Sequence, residues 1–174
     1  MKLILHDLTR EEFERLFAPV PEDNTVVFND GSIRPCAGCF NCWVKTPGEC
    51  IIHDGYENMG ALMAKSSEVM IVSRCVYGGF SPFIKNILDR SIPYIHPYFT
   101  VKNKEMHHKR RYKNRFELSV WFYGDVTERE KHTAEKLVRR NTINLNCQLK
   151  NITFLRETAE LIAVSGGNYK EIGL

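Results

Sequence analysis

The sequence lacks any long apolar run. Its first residues, MKLILHDLTREE, hold a short apolar stretch that meets acid at once. That is too short for the apolar core of a signal peptide and far too short for a membrane span. A strong charge of either sign is also missing. The 24 basic and 21 acidic residues leave a net charge of +3, too balanced for a nucleic-acid binder, which is strongly basic overall or along one face. There is no internal repeat, no low-complexity tract and no linker, so residues 1–174 are expected to form a single domain. Tryptophan occurs twice and cysteine only six times. A chain of this length buries roughly 70% of its unfolded surface, so it folds without disulfides or metal. These absences predict a cytoplasmic protein, where thiols stay reduced.

What is present alternates between apolar runs and amphipathic stretches. KLILH reads as a buried strand. TREEFERLF reads as a helix with Thr9 as N-cap and acids in its first turn. TVVFND (25–30) is a second strand, and 57–64 carries Met59, Leu62 and Met63 at helical spacing. SEVMIVSRCVY is the strongest strand signal, apolar without alternation at Val69–Val72 as in a central strand covered on both faces. A helix with Phe83, Ile84, Ile87 and Leu88 on one face follows, then a strand over 116–124. A long helix opens at Thr127 and runs to about Asn146, although Ile143, Leu145, Cys147 and Leu149 alternate like a strand. NITFL (151–155) is the last strand, and ETAELIAV a short final helix before a loose tail. This order predicts an α/β fold, a parallel sheet with helices on both faces.

In such a sheet, ligands bind beyond the carboxyl ends of the strands, where the strand order reverses. The loop Ser73–Ser81 holds Gly78 and Gly79, which let backbone approach a flat ligand, and Tyr77 and Phe80, which can flank one. A plain strand-to-helix turn accounts for the same residues.

Four cysteines gather in CAGCFNCWVKTPGEC. Cys36, Cys39 and Cys42 have the C-x2-C-x2-C spacing of [4Fe–4S] sites, with Cys50 as a fourth ligand. Two other readings fit the spacing. The thiols can pack as small hydrophobes along one or two helical turns under Phe40 and Trp43, or bind zinc. Cys75 and Cys147 stand alone and read as structural.

Taken together, CAGCFNCWVKTPGEC, VYGGFSPFIKNILDR and HHKRRY resemble the flavodoxin-like NAD(P)H-dependent FMN reductases, and within them the iron–sulfur flavoproteins and their relatives. The resemblance covers about residues 33–124. It implies a three-layer sandwich with a five-stranded parallel sheet in the order 2-1-3-4-5, FMN at its carboxyl edge and NAD(P)H as electron donor. It lays the flavin ring along Ser73, Cys75, Val76, Tyr77, Gly78, Gly79 and Phe80, with Tyr123, Gly124 and Asp125 on the other side. It makes Cys36, Cys39, Cys42 and Cys50 the ligands of a [4Fe–4S] cluster near the flavin edge. Lys85, Asp89 and Arg90 match a helix motif, where the Asp–Arg pair reads as a structural anchor.

The resemblance also implies a Gly/Ser-rich loop after the first strand to cradle the FMN phosphate. Here that link is HDLTREE, with no glycine and with Asp7, Glu11 and Glu12. Each carboxylate close to a phosphate costs roughly 1 kcal/mol near a surface, so no phosphate ligand is carried over. Two functions follow. One is an FMN-dependent oxidoreductase, with or without a [4Fe–4S] cluster. The other is a flavodoxin-like protein that has lost flavin and serves as a binding, assembly, thiol or metal module. The expected partners are a small-molecule cofactor and an electron acceptor, with no nucleic acid and no membrane. The basic segment 101–116 reads as a solvated excursion, a subunit contact or an attractor of cofactor phosphates. The aromatic run IPYIHPYF before it is expected in the interface of a homodimer or homotetramer. His6, His53, His96 and His132 read as isolated structural residues.

Overall fold

The computed structural model describes residues 1–17 and 19–161. Its elements are β1 (Lys2–His6), α1 (Arg10–Phe17), β2 (Thr25–Val27), α2 (Asn41–Val44), α3 (Met59–Lys65), β3 (Glu68–Arg74) and α4 (Pro82–Arg90). They continue with a 3-10 turn at Ile92–Tyr94, β4 (Ile95–Lys102), β5 (Glu105–Arg110), β6 (Glu117–Tyr123), α5 (Glu128–Leu145), β7 (Gln148–Leu155) and a 3-10 turn at Thr158–Glu160.

The main sheet is five-stranded, in the order β2-β1-β3-β6-β7, and every pairing is parallel. Leaving aside β4 and β5, which pair only with each other, this is the expected 2-1-3-4-5 order of a flavodoxin-like sheet. Alternate side chains divide the two faces. Leu3, Leu5, Val69, Ile71, Leu118, Val120 and Phe122 pack under α3, α4 and α5, while Ile4, Met70, Val72 and Trp121 pack against α1. Each fully buried side chain of this size stabilises the fold by roughly 1.5–3 kcal/mol. The helix ends are capped as their residues suggest. Ser81 Oγ accepts from the Ile84 amide at 3.4 Å, and Thr127 and Glu130 form a reciprocal capping box.

Three expectations need correction. The last strand begins at Gln148, not at residue 151. The helix ends because Asn146 adopts a left-handed conformation (φ 54°), which releases Cys147 and Leu149 from the helical register. The basic segment and the aromatic run before it are not a loop. They form the antiparallel hairpin β4–β5, turned by Asn103 and Lys104, both at positive φ. Of the expected final helix, residues 157–161 form a 3-10 turn and its end, and 162–164 lie outside the described residues, as does the tail. Among the described residues no helix is long and apolar enough to cross a membrane.

The buried end of β1 carries a testable pH dependence. His6 is 2% exposed, stacks on Phe13 with ring centroids 4.1 Å apart, and neither ring nitrogen has a hydrogen-bond partner. Burial pushes its pKa down to about 4. The folded pKa lies below the unfolded value, so the unfolded chain binds the proton more readily between the two. Stability contributed by neutral His6 is complete above about pH 6.5 and falls as pH drops toward 4, by roughly 3 kcal/mol in all. Urea unfolding across that window is expected to show the loss in the natural chain and a flatter profile in His6→Phe. Equal slopes would mean that folding leaves the His6 pKa unshifted.

Candidate functional site

The expected site residues gather in two places, one before the first turn of α4 and one at its last. The first is the carboxyl edge of the sheet. The β3–α4 loop makes a tight two-residue turn, in which Val76 and Gly79 exchange backbone hydrogen bonds at 2.9 Å. Tyr77 and Gly78 at the tip both have positive φ, 50° and 74°. A β-carbon on Gly78 would lie 2.8 Å from Thr133 Cβ and 2.9 Å from the Glu130 carbonyl, so glycine alone lets the turn press against α5. Tyr77 is 91% exposed, a large aromatic held out by a strained backbone. Phe80 packs on Phe122 behind it, with centroids 5.1 Å apart. Ser73 is fully buried and spent on structure: its Oγ accepts from the Ser81 amide at 2.9 Å and donates to the Arg74 carbonyl at 3.0 Å. Cys75 is half-buried and its amide donates to the Tyr123 carbonyl at 2.9 Å. Gly124 has φ 115° and Asp125 is exposed.

The link after β1 meets this edge with negative charge. The Asp7 carboxylate accepts from the Arg74 amide at 2.9 Å and from the Tyr123 hydroxyl at 3.1 Å. Burial raises its pKa, against hydrogen bonds from Ser81, Arg74 and Tyr123. Burial first, then the neighbouring Asp7, raises the Tyr123 pKa. At the start of α1, the Thr9 amide donates to Glu12 Oε2 at 2.9 Å and the Glu12 amide to Thr9 Oγ1 at 3.2 Å. This capping box takes up amides that a phosphate would need, and hydrogen bonding to Thr9 holds Glu12 below the usual carboxylate range, hence anionic. The edge offers an apolar wall and no anion cradle at α1.

The second place is built by the cysteine segment. Gly38 and Phe40 take left-handed conformations, φ 63° and 56°, and curl the chain before the single turn of α2. Phe40 stacks on Trp43 with centroids 5.3 Å apart, and Trp43 Nε1 donates to the Ile95 carbonyl at 2.9 Å, tying the curl to the hairpin. Cys36, Cys39, Cys42 and Cys50 all line one cavity of about 80 Å³, together with Phe40, Arg90 and Ile92. A single water needs only ~10–15 Å³ by such a measure, so the space admits a group of several atoms. Cys42 and Cys50 are buried, Cys36 and Cys39 exposed. The expectation that the thiols pack along helical turns is not met, because only Cys42 lies in a helix and the left-handed residues break the periodicity. Burial and the three neighbouring thiols push the Cys42 thiol up to about 11. Among the described residues no three Cys, His, Asp or Glu side chains converge as ligands of one ion.

Arg90 closes the cavity. Its side chain is fully buried and forks onto both oxygens of Asp54 at 2.9 Å. That guanidinium holds the Asp54 carboxyl down to about 2. Burial opposes the charge on Arg90, but Asp54 and the nearby Cys50 outweigh it and raise the pKa. The presumed Asp89–Arg90 pair is therefore split: Asp89 faces outward to Lys85 and Arg90 turns inward to Asp54. Asp54 was the residue that sequence reasoning missed, since IIHDGYENM carries no recognisable motif. The cavity is bounded by Asp89, Arg90 and Ile92, at the far end of α4 from Ser81. The cavity thus borders the last turn of α4, a helix of 9 residues and about 13 Å, whose first turn follows the glycine loop.

The fold has counterparts among solved structures. No family model matches the chain. The FMN-dependent NADH-azoreductase from Bacillus anthracis, solved in complex with FMN, superposes with a TM-score of 0.50 at 10% identity, covering 97% of this chain and 95% of that one. An NADPH-quinone reductase from P. pentosaceus superposes with a TM-score of 0.52 at 14% identity, over 99% and 98% of the two chains. These establish a flavodoxin-like α/β fold. In sequence, the chain is similar to iron–sulfur flavoproteins. It is 29% identical over 97 residues to one from Methanocaldococcus jannaschii, covering 56% of this chain and 49% of that protein. It is 31% identical over 75 residues to one from Archaeoglobus fulgidus, covering 43% and 33%. The matched part thus spans half or less of these relatives' length.

Proposed function

We propose that the protein is an electron-transfer oxidoreductase that holds a [4Fe–4S] cluster on Cys36, Cys39, Cys42 and Cys50. The carrying observation is one cavity lined by all four cysteines and a buried arginine. A cubane cluster spreads its cysteine sulfurs over four corners, whereas one zinc draws them to a point; four cysteines lining a space of several atoms suit the cluster. When bound, the cluster takes up and releases single electrons. Cys42 and Cys50 would hold its inner side and Cys36 and Cys39 its outer side, with Phe40, Ile51, Ile52 and Ile92 as apolar neighbours. Arg90 opposes the negative charge that four thiolates bring.

The wall formed by Cys75–Phe80 and Tyr123–Asp125 suits the ring of a flavin, with NAD(P)H as the electron source; Ser73, expected on that wall, lies buried behind it and braces the loop. The phosphate of FMN does not fit the start of α1, where Asp7 and Glu12 stand and the capping box is closed. The same observation favours a second reading, a flavodoxin-like module that works through the cysteine site alone. Fluorescence titration separates the two. If the edge holds flavin, riboflavin is expected to bind at least as tightly as FMN. Binding of FMN tenfold tighter than riboflavin would contradict the closed phosphate site, and absence of binding by either would select the second reading. The unpaired state of all six cysteines suits a reducing cytoplasm. The exposed Tyr98, Phe99, Val101 and Met106 of the hairpin suit self-association into a homodimer or homotetramer.

For the cluster, the test is anaerobic loading with iron and sulfide. The expected result is a brown protein with iron and sulfide in equal number that bleaches on reduction and recovers on oxidation. A protein that stays colourless contradicts the proposal.

A further inference from the structure

Arginine has five N–H donors in a rigid planar fork. In Arg90, Nη1 donates to the Arg34 carbonyl and to Asp54 Oδ2, both at 2.9 Å. Nη2 donates to the Ile52 carbonyl at 2.8 Å and to Asp54 Oδ1 at 2.9 Å. These four contacts fix the guanidinium plane. The fifth donor, Nε–H, is buried and has no partner. A buried, oriented, unpaired donor is rare in native proteins and calls for an acceptor.

Arg90 lines the same cavity as the four cysteines. Cys50 lies close enough to the guanidinium to favour its charge, yet a thiol sulfur is a weak acceptor and Nε–H has no full hydrogen bond. A thiolate or a cluster sulfur is an anionic acceptor, for which a charged donor is well matched. The polarity of the ion pair points the same way. Asp54 sits on the Nη end of the fork, so the Nε end remains for the cavity, which meets the positive side of the pair.

We infer that Arg90 is a positioning residue for the cysteine centre, its Nε–H donating to sulfur at Cys50 and its charge favouring the reduced form of the bound cluster. The inference rests on the cluster reading given above. It adds a second-sphere donor that fixes how the centre is seated and how readily it accepts an electron. Asp54, the Arg34 carbonyl and the Ile52 carbonyl then act through Arg90 by holding its plane.

The test uses the whole chain, loaded anaerobically with iron and sulfide and carrying arginine isotope-labelled in its side-chain nitrogens. The pulsed EPR spectrum of the reduced protein is expected to show coupling to an arginine nitrogen. Arg90→Lys keeps a cation and loses the fixed Nε–H, and is expected to abolish that coupling. In the same variant the one-electron couple shifts about tenfold toward the oxidised form, a fall of about 59 mV in potential. An arginine that only anchors the fold predicts no nitrogen coupling and an unmoved potential, with lowered stability alone. That result overturns the inference while the loaded cluster upholds the reading beneath it. If Arg90→Lys does not fold, the coupling in the unaltered protein decides. Failure of the unaltered chain to take up iron and sulfide removes the cluster reading and this inference together.

Discussion

Cys42→Ser is expected to abolish stable cluster binding. Cys42 is 8% exposed and feels the other three thiols, so it stands at the inner wall of the cavity. Serine is close in size, so the fold should persist with a cost of about 1–3 kcal/mol for a buried hydroxyl. A serine oxygen is a poor substitute for a soft thiolate toward iron–sulfur centres. Iron retained after anaerobic loading and desalting is expected to fall nearly to background. Cys147→Ser, a substitution between α5 and β7 outside the cavity, is expected to load like the unaltered chain. Equal loading of Cys42→Ser would show that the iron sits elsewhere.

Asp54→Ala is expected to cause the largest loss of stability of any single substitution considered. It strands Arg90, whose side chain is fully buried, with a charge and two N–H groups unmet. Breaking a buried pair from one side typically costs about 3–5 kcal/mol. It also removes the acceptor for the Arg34 amide at 2.8 Å and the Tyr56 amide at 3.2 Å, so the segment that carries Cys50 loosens. In a chain of this size the loss corresponds to roughly 10 °C in Tm. The pair has its own pH signature. The folded Asp54 pKa, about 2, lies below the unfolded value, so its stabilisation is complete above the usual carboxylate range and is lost as pH falls toward 2. A drop below about 1 kcal/mol in Asp54→Ala, measured by urea unfolding, would mean that water screens the pair.

How far the sequence foretold this molecule depended on how local the signal was. Val69–Val72 announced a central strand because both faces are covered, and they do lie at the middle of the sheet. Ser81 and Thr127 announced helix starts because a capping hydroxyl acts within three residues. The closed α1 terminus was legible for the same reason: Thr9 and Glu12 stand at capping-box spacing. The hairpin was missed because Asn103 and Lys104 make a tight turn without glycine, and its basic residues looked like solvated loop. The surroundings of the cysteine cavity were not legible because they depend on long-range contacts. Trp43 reaches Ile95, and Arg90 reaches back to Arg34, Ile52 and Asp54 across 36 to 56 residues of sequence. No short motif encodes such a meeting. The cysteine spacing proposed a ligand set, and only the fold brought in the arginine that faces it.

The central claim is that four cysteines and Arg90 form a seat for one iron–sulfur cluster. X-ray absorption at the metal edge of the protein, purified without oxygen and loaded with iron and sulfide, tests it most directly. The account predicts iron in a shell of four sulfurs with further iron atoms as near neighbours, and loss of that iron–iron scattering in Cys42→Ser. A lone zinc or iron without metal neighbours, or no bound metal at all, would contradict it.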